Sequence, residues 1–331
     1  MKLLIITQVV DTEDSVLGFF VRWLAEFAKH VESIEVVCLK EGKHSLPANV
    51  RVHSLGKPHS AKASRGTGAR MKYIFNFYKY IWRLRREYDT VFVHMNPEYI
   101  VLGGILWKVL HKRIALWYTH KQVDFKLRVA AILSDSIFTA SKESFRLTST
   151  KVHVMGHGID TDFFSLDPDV TRGTDVLSAG RLSPTKRHDL IIRAATHFPN
   201  DVRIVGEGPE RQHLEHLAEQ LSVAPRVHFL GAQNQEQLRK NYRSAGVFAH
   251  TSETGSLDKV ILEALACGLP AITTSALVGL PITKVAATPD AIAQAVLAAP
   301  HTDPQELASY VREHHSLQHL VPAILSVIQT V

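Results

Sequence analysis

Two cations and a glycine lie close together in the stretch Gly180-Arg181-Leu182-Ser183-Pro184-Thr185-Lys186-Arg187. A β-branched run, Val176–Ala179, precedes this stretch, and a helix-length segment, Asp189–Ala195, follows it. Because glycine lets the backbone turn tightly, Arg181 and Lys186 place two positive charges just before a helix N-terminus. That combination favours the binding of a diphosphate, and a solvated basic loop is the alternative.

The next two loops of this half add small residues and carboxylates. One contains Gly206 and Gly208, which allow close approach of another backbone or a ligand, although an ordinary strand-to-helix turn is the favoured interpretation. The other, Thr251–Lys259, leads into a strongly apolar helix and offers backbone N–H groups to phosphate oxygens. Glu263 lies in that helix, where a carboxylate needs a partner. A ribose diol is one candidate partner, and an internal salt bridge is the other.

Short β-branched runs alternate with helix-length segments along the chain, which predicts α/β structure with parallel sheets covered on both faces. Two such series predict two doubly wound domains, whose ligands bind at the carboxyl ends of the strands. The predicted strands are Leu3–Thr7, Ile34–Cys38, Val91–His94, Ile114–Tyr118, Ser136–Thr139, Val176–Ala179, Val202–Val205, Val227–Leu230, Val247–His250 and Ala271–Thr274.

A break in this pattern sets the predicted domain boundary. Asp167-Pro168-Asp169 and Gly173 interrupt the alternation within Leu166–Thr174. We therefore expect one domain at residues 1–168 and a second at residues 169–315. A final apolar-faced helix, at residues 316–331, is expected to pack back towards the first domain.

The composition is that of a soluble globular protein, with 45% hydrophobic and 21% charged residues in a chain of 331. The apolar runs are far shorter than a membrane span, and Leu3–Ile6 is too short for a secretory signal. Cys38 and Cys267 lack metal-ligand spacing, so a reduced, cytoplasmic chain is expected. Residues 1–168 carry 24 Lys and Arg against 16 Asp and Glu. This excess indicates an anionic partner: a membrane surface, a phosphorylated acceptor or nucleic acid.

Five short motifs follow one another between residues 158 and 270. They are Gly158-Ile159-Asp160-Thr161-Asp162-Phe163-Phe164, Gly180-Arg181-Leu182 with Lys186, Gly206-Glu207-Gly208-Pro209, Val227-His228-Phe229-Leu230-Gly231 and Leu262-Glu263-Ala264-Leu265-Ala266-Cys267-Gly268-Leu269-Pro270. In this order they resemble the family-four glycosyltransferases. The resemblance implies the GT-B architecture, with two Rossmann-like domains facing an interdomain cleft, the first for the acceptor and the second for the nucleotide sugar. It also implies a retaining enzyme that moves a sugar from a nucleotide-diphosphate sugar to a glycan or lipid-linked acceptor.

The resemblance assigns roles to individual residues. Arg181 and Lys186 would neutralise the departing diphosphate. Glu263 would hydrogen-bond the ribose, and His120 resembles the family histidine beside the transferred sugar. The other donor contacts that it implies are at Gly18, Gly180, Gly255, Ser256 and Leu257.

One position departs from the family pattern. The family usually carries another glutamate eight positions before the second one, and this chain has Gly255 there. Three alternatives remain for contacting the sugar hydroxyls: Glu253, Asp258 and the backbone alone. The departure also leaves open a second function, that of a catalytically weak or inactive sugar-nucleotide-binding homologue or regulatory subunit.

No metal and no cofactor other than the donor substrate is expected. Asp160-Thr161-Asp162 mimics the acidic metal-binding triplet of another glycosyltransferase architecture, but its place at the domain junction favours a structural turn. Two cations supply the stabilisation of the leaving diphosphate, and same-face attack requires no enzymic nucleophile. No carboxylate pair in the sequence demands a hydrolase mechanism either.

A basic and aromatic segment, Lys72–Glu87, is the candidate acceptor or membrane surface. One helical stripe of this segment is apolar and another is basic, and Phe75 and Trp82 add aromatic surface outside the apolar stripe. A loop is predicted at His59–Ala69, just before it. The residues expected to hold an anionic membrane are Lys62, Arg65, Arg70, Lys72, Lys79, Trp82 and Arg83. A buried helix with a solvated basic face is the alternative.

Two other function classes lack their motifs. No Gly-x-Gly-x-x-Gly follows the first strand between Thr7 and Gly18, so a dinucleotide-dependent dehydrogenase is not expected. The basic half contains no recognised nucleic-acid-binding motif, so nucleic acid is not expected as a partner. A sugar-nucleotide epimerase of the same architecture stays open.

Overall fold

The computed structural model describes residues 1–58, 67–253, 255, 257–277, 279–298 and 302–330. The chain divides into two compact units, one formed by Met1–Gly158 with Leu317–Val331 and the other by Ile159–Ser316. Three residues of the predicted sites, Lys62, Arg65 and Ser256, lie outside the described residues.

Seven strands form a parallel sheet in the first unit. They are β1 (Lys2–Val10), β2 (Ser33–Glu41), β3 (Val50–Ser54), β4 (Thr90–His94), β5 (Arg113–Trp117), β6 (Ser136–Thr139) and β7 (Val152–Val154). Their order across the sheet is β3-β2-β1-β4-β5-β6-β7. Successive side chains of a strand point to opposite faces, and both Leu3 and Leu4 are fully buried, so both faces of the sheet are covered.

Helices cover the two faces of this sheet. They are α1 (Phe20–Ala28), α2 (Thr67–Arg83), α3 (Pro97–Val109), α4 (Phe125–Leu133) and the C-terminal helix Leu317–Thr330. Helix α1 and the C-terminal helix share one core with Leu3 and Ile5. Helices α2, α3 and α4 share the other core with Leu4 and Ile6.

The second unit repeats this plan with six parallel strands. They are β8 (Val176–Ala179), β9 (Val202–Val205), β10 (Val227–Gly231), β11 (Val247–His250), β12 (Ala271–Thr273) and β13 (Thr283–Lys284), in the order β10-β9-β8-β11-β12-β13. Its helices are α5 (His188–Ala194), α6 (Arg211–Gln220), α7 (Gln235–Ser244), α8 (Lys259–Ala266), α9 (Pro289–Leu297) and α10 (Pro304–His315). Helices α5, α6 and α9 pack on one face, and α7, α8 and α10 pack on the other.

The predicted fold class, two doubly wound Rossmann-like domains, is confirmed by these two sheets. The ten predicted strands all form, and sequence reasoning misses β3, β7 and β13. Each missed strand lies at an edge of its sheet, and most of its residues are half buried or exposed. An edge strand has one neighbour and partial cover, so it lacks the continuous apolar run that identifies a central strand.

The division between the units falls between Gly158 and Ile159, ahead of the boundary predicted at Leu166–Thr174. Ile159 and Phe164 are buried in a core of the second unit, so the junction motif belongs mostly to that unit. The C-terminal helix, here α11 (Leu317–Thr330), packs with α1 in the first unit. Helix α2 begins at Thr67, so the loop predicted to reach Ala69 is wrong for its last three residues.

Candidate functional site

The strand order of the second sheet places a switch point between β8 and β11. The neighbour of β8 on one side is β9, and the neighbour of β11 on the other side is β12. The loops that follow β8 and β11 therefore diverge, and this divergence opens a crevice at the carboxyl ends of the strands. The predicted residues of this unit that the structure describes lie on these two loops and on α8.

Gly206 and Gly208 bring the loop after β9 against the loop after β8. A Cβ atom on Gly206 would lie 1.9 Å from the carbonyl oxygen of Gly180, and one on Gly208 would lie 2.1 Å from that of Leu182. Gly180 and Leu182 also donate their backbone N–H groups to this neighbouring segment. The close approach is therefore to another backbone, and it fixes the loop that carries Arg181.

Lys186 lies in a short 3₁₀ turn, Pro184–Lys186, just before α5. Its side chain runs beside Gly180, where a Cβ atom would lie 3.7 Å from Lys186 Cδ. Its ammonium group forms an ion pair with Asp258, and the two side chains are only 21% and 19% exposed. Solvent therefore screens this pair less than it screens a surface pair. The structure thus brings together two predicted residues from the β8 and β11 loops.

Asp258 also accepts a hydrogen bond from His250, whose Nε2 lies 2.9 Å from Asp258 Oδ2. Burial by itself raises the pKa of Asp258, but the hydrogen bond from His250 and the positive charges of Lys186 and His250 outweigh burial and lower that pKa to about 2. Asp258 is therefore ionised near neutral pH. Sequence reasoning misses His250, because nothing in its type or spacing separates it from the other histidines among the 19 of the chain.

Two arginines flank Lys186, and their surroundings differ. Arg181 is exposed, and within the described part of the chain its side chain forms no ion pair. Arg187 lies in the left-handed region with φ of 52°. Its guanidinium pairs with Asp189 at 3.1 Å and also with Glu253, whose side chain is 57% exposed. Of the two, Arg181 is therefore the cation left to meet an external anion.

The loop after β11 is held against the loop after β8. The Thr251 hydroxyl donates to the carbonyl oxygen of Lys186 at 2.9 Å, and the Glu253 N–H donates to the backbone of the same loop at 3.0 Å. Gly255 has φ of 58°, in the left-handed region that favours glycine. A glutamate in this backbone conformation would be strained. Leu257 is half buried.

Glu263 is 4% exposed in α8 and has partners within the protein. The Tyr242 hydroxyl donates to Glu263 Oε2 at 3.2 Å. Burial raises the pKa of Glu263, and the charge of Lys259 and the Tyr242 hydrogen bond oppose this rise. Burial lowers the pKa of Lys259 to about 8, against the charge of Glu263. Glu263 therefore has an internal hydrogen-bond partner in Tyr242, and both alternatives left open by the sequence, an internal salt bridge and a ribose contact, stay predictions.

His188, the first residue of α5, is a second buried histidine that sequence reasoning misses. It is 3% exposed, and its Nδ1 lies 3.2 Å from Ser178 Oγ. Its Nε2 has no hydrogen-bond partner among the described residues. Burial, together with the charges of Lys186 and His250, lowers the pKa of His188 to about 4. A neutral imidazole therefore lies next to the Lys186 turn.

Two predicted residues lie in the first unit. Gly18 is buried just before α1, where a Cβ atom would lie 2.5 Å from the carbonyl oxygen of Asp14, so packing alone explains the glycine. His120 is exposed just beyond β5. The same unit contains a polar pair that sequence reasoning does not predict, in which Gln8 Nε2 donates to Asn96 Oδ1 at 2.7 Å.

Helix α2 buries one face and exposes the predicted basic residues. Phe77 and Ile81 are buried, whereas Phe75 is 70% exposed and Trp82 is 53% exposed. The guanidinium carbon of Arg85 lies 4.5 Å from the Trp82 ring centroid. The predicted residues Arg70, Lys72, Lys79 and Arg83 are all exposed. Within the described ranges, no helix combines the length and the hydropathy needed to cross a bilayer.

The acidic triplet at the start of the second unit closes a turn. The carboxylate of Asp160 accepts the N–H groups of Asp162 and Phe163, each at 3.2 Å. This is the pattern of an aspartate that stabilises its own turn. In the part of the chain that the structure describes, no group of three or more His, Cys, Asp and Glu side chains is arranged to hold a metal ion.

Residues 162–320 match the sequence family described as glycosyl transferases group 1. The second unit belongs to this family. The resemblance to glycosyltransferases stated from the motifs is therefore confirmed. Arg181, Lys186, Asp258 and Glu263 all lie within the matched residues of this group 1 glycosyl transferase unit.

Relatives and solved structures agree with this assignment. A D-inositol 3-phosphate glycosyltransferase of Mycobacterium sp. (strain KMS) is 36% identical over 152 residues, which cover 40% of this chain and 34% of the relative. The match thus spans about a third of the relative's length. HepE of Anabaena, in complex with UDP and glucose, has a TM-score of 0.77 at 18% identity and covers 100% of both chains. Sucrose-phosphate synthase of Thermosynechococcus elongatus has a TM-score of 0.77 at 16% identity, covering 100% of this chain and 99% of its own. At these identities the two structures show a shared fold, the GT-B fold.

Proposed function

We propose that this protein is a retaining, metal-independent glycosyltransferase that moves a sugar from a nucleotide-diphosphate sugar to a glycan or lipid-linked acceptor. The observation that carries the proposal is the position of Lys186. It lies beyond the carboxyl end of β8 and contacts Asp258 at the start of α8, within the segment that matches the group 1 glycosyl transferases. A cation beside the switch point of a doubly wound sheet is well placed for a phosphate group.

The proposed catalysis is electrostatic. Breaking the anomeric C–O bond leaves negative charge on the diphosphate and oxocarbenium character on the sugar. Lys186 and Arg181 oppose that negative charge, and one well-placed donor of this kind is worth roughly 10²–10³ in rate. Arg181 is exposed and makes no ion pair among the described residues, so it can turn towards the diphosphate without breaking one. Attack by the acceptor on the same face of the sugar retains the anomeric configuration.

Further donor contacts are proposed in addition to these two cations. Glu263 accepts a hydrogen bond from the ribose in addition to the one from Tyr242. Backbone N–H groups near the start of α8 contact phosphate oxygens, because the helix dipole favours anions there. The positions proposed for donor contacts are Gly18, His120, Gly180, Gly255, Leu257 and Glu263.

The relatives support a sugar nucleotide as donor. HepE was crystallised with UDP and glucose, and the mycobacterial relative is named a glycosyltransferase of D-inositol 3-phosphate. A phosphorylated or lipid-linked acceptor also fits the excess of basic residues in residues 1–168, with 24 Lys and Arg against 16 Asp and Glu.

The test is a comparison of Lys186→Ala with Lys240→Ala. Lys240 is an exposed lysine of α7 in the same unit and serves as the matched control. Calorimetric titration with uridine, guanosine and adenosine diphosphate sugars identifies the donor, and a transfer or donor-hydrolysis assay follows. We expect Lys186→Ala to lose roughly 10²–10³ in turnover and to bind the donor more weakly, while the control keeps both. Equal turnover in the two variants would refute the role of Lys186. Binding without transfer or hydrolysis by the unmodified protein would favour a non-catalytic regulatory subunit.

We also propose that the first unit docks on an anionic membrane surface, which suits a lipid-linked acceptor. Eight of the thirteen exposed large hydrophobic side chains of the described residues lie on three consecutive helices, α2, α3 and α4. They are Met71, Phe75, Tyr78, Trp82, Ile105, Val109, Phe125 and Ile132, here called the α2–α4 surface. Concentrated apolar exposure of this kind is typical of a binding surface.

The α2 part of this surface forms one stripe. Its members are Met71, Phe75, Tyr78 and Trp82. Their spacings of four, three and four residues put them on one side of the helix. The Tyr78 hydroxyl donates to the carbonyl oxygen of Leu102 at 2.8 Å, which ties the stripe to α3. Tryptophan and tyrosine side chains are typical of the membrane–water interface.

Unpaired cations accompany the stripe. Helix α2 contains no acidic residue. The exposed cations on α2 and just beyond it are Arg70, Lys72, Lys79, Arg83 and Arg86. None of these five forms an ion pair within the described part of the chain, so all five are available to an external anionic surface. Each basic residue near such a surface contributes about 1 kcal/mol.

Vesicle flotation tests this docking. We expect binding to phosphatidylcholine vesicles that contain phosphatidylglycerol at low salt, and little binding to phosphatidylcholine alone. The double variant Phe75→Ser/Trp82→Ser should lose binding, whereas Val154→Ser, which changes an exposed apolar residue of β7, should keep it. Absence of flotation with anionic vesicles at low salt would contradict the proposal, and so would equal binding by the two variants.

A further inference from the structure

Asp258 stands at the N-cap of α8 but does not cap the helix. Its backbone has the extended conformation of an N-cap residue, with φ of −85° and ψ of 136°, and its side chain accepts no capping hydrogen bond. Three other helices of the same unit are capped by side chains: those of Asn234, Thr288 and Asp303. A side-chain cap usually stabilises a helix, so the contacts that the Asp258 side chain makes elsewhere have to offset the absence of this capping hydrogen bond.

The side chain of Asp258 turns instead to two basic groups. Its Oδ2 atom contacts the Lys186 ammonium and lies 2.9 Å from His250 Nε2. No hydrogen bond is formed by its Oδ1 atom among the described residues, and the side chain is 19% exposed. Asp258 is thus a carboxylate with one oxygen held and the other available beside a candidate phosphate-binding lysine.

The side chain of His250 is itself held by a hydrogen bond to Thr273. Its Nδ1 lies 3.0 Å from Thr273 Oγ1, and the Thr273 oxygen accepts the N–H of Ser275 at 3.1 Å. Because ionised Asp258 can only accept, His250 donates its Nε2–H to Asp258, and Thr273 Oγ1 is the hydrogen-bond partner of the other ring nitrogen. Thr273 therefore fixes the ring, and the ring fixes Asp258, independently of Lys186.

Glu253, the other acidic candidate for contacting the sugar hydroxyls, is less suited to that contact. Glu253 is paired with Arg187 and is 57% exposed. Gly255, at the position of the family glutamate, has no side chain, and its φ of 58° disfavours one. Of the three alternatives that the sequence leaves open, Asp258 alone presents a partly buried carboxylate that is already oriented by a buried histidine.

We infer that Asp258 is a positioning and specificity residue of the donor site, held by His250 and Thr273, that releases Lys186 to the diphosphate and accepts a hydroxyl of the donor sugar. The inference rests on the proposed glycosyltransferase function. In the free protein Asp258 competes with a diphosphate for Lys186. When a sugar nucleotide binds, Lys186 moves to the more highly charged diphosphate. Asp258 keeps its hydrogen bond to His250, and its carboxylate is then available to accept a hydrogen bond from a sugar hydroxyl.

This exchange gives bare nucleotide and sugar nucleotide different responses to loss of the carboxylate charge. Asp258→Asn keeps the size of the side chain but ends the competition for Lys186, so a bare nucleoside diphosphate should bind several-fold more tightly. The same variant weakens the hydrogen bond to the sugar hydroxyl. The ratio of the Kd of the diphosphate to the Kd of its sugar derivative should therefore fall by roughly tenfold or more, the usual effect of a hydrogen bond to a charged group.

Calorimetric titration measures this ratio for the unmodified protein, Asp258→Asn and Asp303→Asn. The last is the matched control, because Asp303 caps α10 in the same unit with its side chain and makes no ion pair within the described residues. The best-binding nucleoside diphosphate of uridine, guanosine and adenosine is used, with its glucose derivative. A fall in the ratio for Asp258→Asn, with none for Asp303→Asn, supports the inference. An unchanged ratio in Asp258→Asn overturns it while leaving the proposed function standing.

A second pair of variants tests the support from His250. His250→Gln should lower the same ratio while leaving the affinity for bare diphosphate within a few-fold, and Thr273→Val should act in the same direction more weakly. A purely structural role would lower both affinities together and leave the ratio unchanged, which would contradict the inference. If the unmodified protein binds no nucleoside diphosphate at all, both this inference and the proposed function fail.

Discussion

Gly206 offers a direct test of how the fold positions the Arg181 loop. Its φ is 143°, and a Cβ atom there would lie 1.9 Å from the carbonyl oxygen of Gly180. Gly206→Ala therefore introduces an unfavourable backbone conformation, worth about 1–3 kcal/mol, and forces two hydrogen-bonded segments apart. We expect a total loss of about 2–4 kcal/mol in unfolding free energy, which is large for a single substitution. For a unit of this size, each kcal/mol lowers Tm by roughly 2–4 °C.

Thermal unfolding followed by circular dichroism measures this loss. Gly173→Ala is the matched control, because a Cβ atom on Gly173 would find its nearest neighbour at 3.4 Å, an ordinary contact distance. The control should change Tm by no more than a degree or two. Donor affinity measured at a temperature where both variants are folded should fall only in Gly206→Ala, since the displaced loop carries Arg181. Equal Tm values for the two variants would show that the close approach does not constrain the loop.

Two further predictions concern buried polar groups. Tyr242→Phe removes the hydroxyl donor of buried Glu263, so urea unfolding should show a loss of about 1–3 kcal/mol, and an unchanged midpoint would contradict the importance of that bond. Folding lowers the pKa of His188 from 6.5 to about 4, so the unfolded chain binds a proton at this residue more readily than the folded protein does. The protein should therefore lose about 3 kcal/mol of unfolding free energy as the pH falls from about 6.5 to 4. His188→Gln should reduce this acid-induced loss in urea titrations across that pH range, and an identical pH dependence would show that His188 is not its cause.

The central strands of both sheets can be predicted because burial on two faces leaves continuous apolar runs such as Leu3–Ile6. The edge strands carry no such signal. The boundary between units depends on where Ile159 and Phe164 pack, which is a tertiary property. The burial of Glu263 follows from the apolar helix around it, but its partner Tyr242 is 21 residues away in sequence, and no local pattern indicates that contact.

Within the site, residue type and spacing locate Lys186 and Asp258 but not their contact, which depends on how two loops from neighbouring strands meet. The two histidines near this pair, His250 and His188, are harder to identify from the sequence. His250 ends a strand and His188 begins a helix, and each becomes distinctive only through burial and its charged neighbours. In α2, the helical period identifies the core positions Phe77 and Ile81, whereas the exposure of Trp82 requires knowledge of what covers the helix.

Lys186 and Arg181 are proposed to bind the diphosphate of a sugar nucleotide at the carboxyl end of β8. A crystal structure of the protein with its best-binding nucleoside diphosphate sugar tests this proposal most directly. We expect phosphate oxygens within hydrogen-bond distance of Lys186 Nζ, with the Arg181 guanidinium turned towards the same group and the ribose beside Glu263. A donor bound elsewhere, with Lys186 still on Asp258, would contradict it.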